Sequence, residues 1–142
     1  MQETDRDVPD SIETGQTGSG KILIMDDEEV VREICGEMLL TIGYTVDYAV
    51  NGQEVLEKYQ QAMKEEKPFD LVIMDLTIPG GMGGKEAIRK LLEIDPHARA
   101  IVSSGYLHDD VMANYQDYGF QGVAAKPYLL SNLNKVIKNI IH

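Results

Sequence analysis

The sequence predicts an α/β fold: a doubly wound, five-stranded parallel sheet with five helices. Two observations carry this. Short, unbroken apolar runs such as KILIM, FDLVIMD and RAIVSS are what strands buried on both faces require. Between them lie segments whose apolar residues recur at helical spacing, so that strand and helix alternate five times. Strands joined through helices run parallel, and right-handed crossovers set helices on both faces of the sheet.

KILIM, from Lys21, is the first strand. The first helix follows over EEVVREICGEMLLTIG, with Val30, Val31, Ile34, Cys35, Met38, Leu39 and Ile42 as its apolar stripe and Gly43 as its stop. YTVDYAV is the second strand. Asn51, with Glu54 three residues on, gives a capping-box-like start to a helix whose apolar face is Val55, Leu56, Tyr59 and Met63. Pro68 breaks the chain before FDLVIMD, the third strand. The glycine-rich PGGMGG leads into KEAIRKLLEI, with Ala87, Ile88, Leu91 and Leu92 inward, and Asp95-Pro96 ends it. RAIVSS is the fourth strand and DDVMANYQDYG a fourth helix ending at Gly119. QGVAA is a short fifth strand. YLLSNLNKVIKNII is the last helix, with Leu130, Leu133, Val136, Ile137, Ile140 and Ile141 facing inward.

Length and charge bound what such a fold can do. The 142 residues fit one domain, and 43% hydrophobic with 26% charged residues is the balance of a globular core. No apolar run reaches the ~18–20 residues of a membrane span, and no secretory signal is visible. The single cysteine, Cys35, reads as core and fits a reducing, cytoplasmic location. A net charge of −11 opposes direct binding to nucleic acid or anionic lipid. Residues 1–20 carry five acids against Arg6, so −4 of that charge lies there and −7 on residues 21–142. That polar stretch is expected to be a disordered tail or linker.

In a doubly wound sheet, ligands bind at the carboxyl ends of the strands. Strand one ends at Asp26-Asp27-Glu28, strand three at Asp75, strand four at Ser103-Ser104 and strand five at Lys126-Pro127. Carboxylates gathered in one pocket repel unless a cation neutralises them, and an oxygen-only site suits Mg²⁺. Lys126 and a serine hydroxyl beside that cation would hold a small oxyanion, such as a phosphoryl group on Asp75. Taken alone, Asp26, Asp27 and Glu28 read equally well as helix-capping acids, and Glu28 is the least secure of the three as a ligand.

These motifs together, ILIMDDEE, LVIMDLTIPGGMGG, IVSSGY and AAKPY, in that order, make residues 21–142 resemble a response-regulator receiver domain of two-component signalling, a flavodoxin-like fold. The resemblance implies that Asp75 is the phosphoacceptor. It implies Mg²⁺ on Asp26, Asp27, Asp75 and the backbone carbonyl of Thr77, with Lys126 and Ser104 on the phosphoryl oxygens. The Lys126-Pro127 bond is often cis in that family. Ser104 rather than Ser103 aligns with the family's switch hydroxyl, and strand alternation points only one of the two into the site. Thr77 and Tyr106 fall where the family tunes loss of the phosphoryl group, and Tyr106 is placed to shield it from water.

The implied partner is a histidine kinase or a histidine phosphotransfer domain, with an unidentified protein downstream. A weak dimer through the fourth helix, fifth strand and fifth helix also belongs to the family. Kinase activity itself would lie outside this chain. Two features depart from the common pattern. PGGMGG is one residue longer than usual, as in receivers of hybrid sensor histidine kinases, which favours an excised domain over a free-standing regulator. Val123 stands where the family's rotating aromatic does, so the usual hydroxyl-to-aromatic coupling is in question.

Rival readings are weaker. A haloacid-dehalogenase-type phosphatase needs an acid two residues after its aspartyl nucleophile, and Thr77 stands there. A receiver-like binding module that is never phosphorylated would not need Asp26, Asp27, Asp75, Ser104 and Lys126 intact. GQTGSGK, from Gly15, imitates a phosphate-binding loop, but Ile22 replaces the needed Ser/Thr and the loop precedes a strand instead of following one. His97, His108 and His142 show no zinc spacing.

Overall fold

A computed structural model of the chain describes residues 20–105 and 110–141. The elements run β1 (Lys21–Met25), α1 (Glu29–Thr41), β2 (Thr45–Ala49), α2 (Gly52–Lys64), β3 (Leu71–Asp75) and α3 (Gly84–Ile94). They continue with β4 (Ala100–Ser104), α4 (Asp110–Ala113), α5 (Tyr115–Tyr118), β5 (Gly122–Ala125) and α6 (Leu130–Ile141). The five strands pair in parallel in the order β2-β1-β3-β4-β5. This is the doubly wound sheet that the apolar runs predict.

Alternation along each central strand feeds two cores. Leu23, Met25, Val72, Met74, Ala100 and Val102 face a layer built by α2 and α3. Ile22, Ile24, Leu71, Ile73 and Ile101 face Cys35 and Leu39 of α1 and Leu133 and Ile137 of α6. Both sides of these three central strands are dry, which is why their sequences run almost continuously apolar rather than alternating.

Asn51 caps α2 as expected: its side chain accepts from the Glu54 N–H at 2.9 Å. The return bond goes one residue further back than in a standard capping box, from the Val50 N–H to the Glu54 carboxylate at 2.8 Å. Gly43 and Gly119 both take positive φ just beyond their helices, as stop signals do.

The helix count differs from expectation. The described residues contain six helices, because the fourth expected helix breaks at Asn114 (φ −122°, ψ 39°) into α4 and α5. The Asn114 amide donates to the Asp110 carboxylate at 2.9 Å and to its carbonyl at 3.3 Å. Asparagine offers the backbone such local alternatives to a continuing helix. Four residues expected to face inward do not. Val30 is 66% exposed and Ile34 49%, while Met63 and Leu130 are also open to solvent. In α1 there are more apolar residues than one buried stripe can hold, so Cys35, Leu39 and Ile42 enter the core and Val30 and Ile34 form a second stripe outside it. In α2, Ala62 takes the inward place beside which Met63 is left outside.

Candidate functional site

β1 and β3 are neighbours at the sheet's centre, where the strand order reverses, and their carboxyl ends deliver Asp26 and Asp75 to one crevice. Asp26 is fully buried. Its backbone N–H extends the ladder to the Ala49 carbonyl at 3.1 Å. One carboxylate oxygen accepts from the Glu28 N–H at 2.9 Å and the other from Lys126 Nζ at 2.6 Å. The same ammonium stands 3.1 Å from Asp75 Oδ2. Lys126 therefore bridges two carboxylates that would otherwise repel. Asp27 is exposed at the mouth, and one oxygen from each of Asp26, Asp27 and Asp75 lies within 4.8 Å of the others.

Lys126 reaches this place because β5 ends one residue earlier. Its backbone N–H still donates to the Ser104 carbonyl at 3.0 Å, and its bond to Pro127 is cis, as the resemblance implies. The β3–α3 turn passes close beneath Asp75. A Cβ on Gly84 would meet the Asp75 carbonyl at 2.8 Å, and one on Gly83 the Leu76 carbonyl at 2.4 Å, so only glycine allows this approach. The longer PGGMGG turn is tied down by backbone bonds from Gly81 to Ile78, from Gly84 to Leu76, and from Gly52 of α2 to Met82.

Burial raises the Asp75 pKa above the ordinary carboxylate value. Lys126 pulls it down and Asp26 pushes it up, and the Thr77 backbone bond to the carboxylate also lowers it. For Lys126, desolvation opposes the charge, but the bond to Asp26 and the charge of Asp75 outweigh it and the pKa rises. The lysine is thus a fixed positive charge. The oxygen-only donor set of three carboxylates around a solvent-open mouth fits a hard divalent cation. A carboxylate beside an ammonium, in a donor set that fits a cation, can attack an electrophilic phosphorus.

The two serines of β4 separate clearly. Ser103, in register with Asp75, is fully buried and shares a 2.6 Å hydrogen bond with the Tyr128 hydroxyl in the α1/α6 layer. Ser104 has the opposite parity, that of Val102, and is 5% exposed at the end of the strand. Thr77 exposes its side chain beside Asp75, and Val123 is half-buried opposite Val102. Glu28 occupies the N-cap of α1 without a side-chain cap bond, and His97 is exposed. Cys35 is core, its thiol pushed up to about 12, chiefly by burial. Tyr106, His108, His142 and most of the Gly15–Lys21 stretch lie outside the described residues, as does the linker expected over residues 1–20 apart from Gly20.

Sequence reasoning missed two contributors. Arg32 Nη1 donates to the Asp26 carbonyl at 2.7 Å and fastens the β1–α1 turn; its signal was being the one base in an acidic helix. The Ser103–Tyr128 bond joins residues 25 apart, and nothing local announces it. A groove of about 850 Å³ between α3, α5 and the β3–α3 turn touches the site only at Leu76 and Thr77.

A family model described as "Response regulator receiver domain" matches residues 22–138. The chemotaxis protein CheY of Thermotoga maritima is 36% identical over 123 residues, covering 83% of this chain and 98% of that one. The sensor kinase CckA of Brucella abortus is 31% identical over 128 residues, covering 90% of this chain but 13% of its own length. The response regulator protein TrrA of Thermotoga maritima, solved in complex with Mg²⁺–BeF, superposes with a TM-score of 0.74 at 28% identity, covering 86% and 99% of the two chains.

Proposed function

This chain belongs to the response regulator receiver family, whose domains are phosphoacceptor switches, and from that premise we propose that Asp75 is its acceptor. The observation that carries the proposal is the Lys126 ammonium held between Asp26 and Asp75 at the mouth lined by Asp27. An Asp75 carboxylate oxygen attacks the phosphorus of a phosphohistidine. The P–N bond breaks, and the departing imidazole nitrogen keeps the electron pair and takes up a proton. The product is an acyl phosphate on Asp75. Lys126 and Ser104 hold its oxygens, while Ser103 is engaged by Tyr128 in the α1/α6 layer.

Mg²⁺ is the cation that this reading assigns to Asp26, Asp27, Asp75 and the Thr77 carbonyl; bound there, it supplies neutralising charge to the acceptor and the phosphoryl oxygens. The Mg²⁺–BeF complex of the TrrA relative supports the choice. The donor is a histidine kinase or a histidine phosphotransfer domain in the cytoplasm. Val30 and Ile34 of α1, together with Leu129, expose apolar surface beside a hollow of about 310 Å³ lined by Glu28, Lys126, Pro127 and Tyr128, and this surface seats the donor's helices. The parent protein is read as a hybrid kinase, in keeping with the CckA match. The phosphatase reading fails on Thr77, which has no acid to give.

Intact mass after treatment with acetyl phosphate and Mg²⁺ tests the assignment. Wild type gains one phosphoryl group and Asp75→Asn gains none. Equal gain in the variant, or none in wild type, overturns it.

A further inference from the structure

Tyr128 sits two residues beyond Lys126, and its hydroxyl is one end of the buried bond to Ser103. Packing alone does not account for that oxygen. The ring is 8% exposed among Ile24, Cys35, Leu133 and Ile137, where a phenylalanine would fill the same space. A buried phenol instead requires a partner, and Ser103, itself fully buried, provides it at 2.6 Å.

The consequence falls on the residue between. Lys126 carries its charge on a flexible four-carbon stem, so where that charge sits depends on how firmly its root is held. Upstream, its backbone N–H is bonded to the Ser104 carbonyl at 3.0 Å. Downstream, after the rigid ring of Pro127, the chain is fastened again through Tyr128 to Ser103. Both anchors are consecutive residues of β4, and Ser103 is the register partner of Asp75. The root of the lysine and the carboxylate it serves are thereby referred to one strand.

We propose that Tyr128 is a positioning residue: its hydrogen bond to Ser103 braces the β5–α6 turn and so holds the Lys126 ammonium between Asp26 and Asp75 for phosphoryl capture. The catalytic benefit rests on Asp75 being the acceptor, whereas the brace itself does not.

Tyr128→Phe removes the bond and keeps the ring; Ser103→Ala removes the same bond from the other side, should the first variant fold poorly. Phosphoryl gain from acetyl phosphate with Mg²⁺ is followed by intact mass, and the side-chain ammonium resonance of Lys126 by ¹⁵N NMR. Each single variant is expected to slow the gain about three- to tenfold, the scale of one lost hydrogen bond. The double variant should be no slower than either single, because both remove one interaction. In a Lys126→Met background, Tyr128→Phe should have no further effect, and in the otherwise native protein it should shift the Lys126 resonance. A purely structural role would lower the melting temperature of the variants with unchanged rates and an unmoved resonance, and that result overturns the proposal. Rate losses that persist undiminished without Lys126 overturn it too. If wild type takes up no phosphoryl group, the reading of Asp75 falls, while the Lys126 resonance still decides the brace.

Discussion

Asp26 commits both carboxylate oxygens inside the protein, one to the Glu28 N–H and one to Lys126, so its charge is matched even though it is fully buried. Asp75 is less well provided. Burial raises its pKa more than Lys126 and the Thr77 backbone bond lower it. A folded-state pKa above the unfolded value means that the contribution of the protonated form is complete below the ordinary carboxylate value and is lost as pH rises through the raised one. Asparagine at position 75 carries no charge at any pH. Without divalent metal, Asp75→Asn should therefore be more stable than wild type at neutral pH, because the amide has no charge to desolvate while Lys126 keeps Asp26 as its partner. The gap should narrow as the solution is made acidic, once the pH falls below the raised pKa and the wild-type carboxyl also becomes neutral. Added Mg²⁺ should narrow it from the other side, because a ligand of the native state stabilises it by mass action. Urea denaturation at neutral and acidic pH, with and without Mg²⁺, reads all three effects. A variant less stable than wild type at neutral pH without metal would show that the pair with Lys126 outweighs the cost of burying Asp75.

The elements place these residues through turns rather than through helices and strands alone, and in the β3–α3 turn backbone meets backbone closely. Gly83→Ala would drive a Cβ to within 2.4 Å of the Leu76 carbonyl, a backbone atom that cannot rotate aside. It should cost about 1–3 kcal/mol, the range of overpacking, by chemical denaturation. Gly105→Ala, whose Cβ meets nothing within 4 Å among the described residues, is the control and should stay within about 0.5 kcal/mol of wild type. Such close approaches mark the limit of what could be read from the chain. β1, β3 and β4 were legible as apolar runs and β2 and β5 as short stretches between helical segments, and the ends of β1, β3 and β5 named Asp26, Asp75 and Lys126. The break at Asn114 was not, because it depends on one side chain choosing Asp110 over solvent. The outward turn of Val30 and Ile34 was hidden by an over-supply of apolar residues on α1, among which only packing chooses. The Ser103–Tyr128 bond is a tertiary contact between two residues that each look ordinary alone.

Across the whole molecule, net charge and apolar surface divide the work. The chain carries −11, yet beside the acidic mouth α1 exposes Val30 at 66% and Ile34 at 49%, with Leu129 at 60% beyond Lys126. Large apolar side chains gathered on an otherwise acidic surface mark a place where a partner excludes water. On the proposed reading a small phosphodonor needs only the crevice, whereas a protein donor also rests on this rim to bring its histidine to Asp75. The two donors should therefore respond differently to Ile34→Asp, a half-exposed position outside the buried core clusters. With acetyl phosphate, the rate of phosphoryl gain should match wild type. With the histidine kinase that transfers fastest to wild type, first autophosphorylated with ATP, it should fall on the order of tenfold, the effect of losing a central apolar contact worth about 1.4 kcal/mol. Leu40→Asp is a control of equal chemistry at the far end of the same helix, where Leu40 is also exposed, and it should leave both rates alone. Equal losses with both donors would mean that Ile34 supports the site itself. No loss with either would remove α1 from the docking surface and leave the donor to approach over another face.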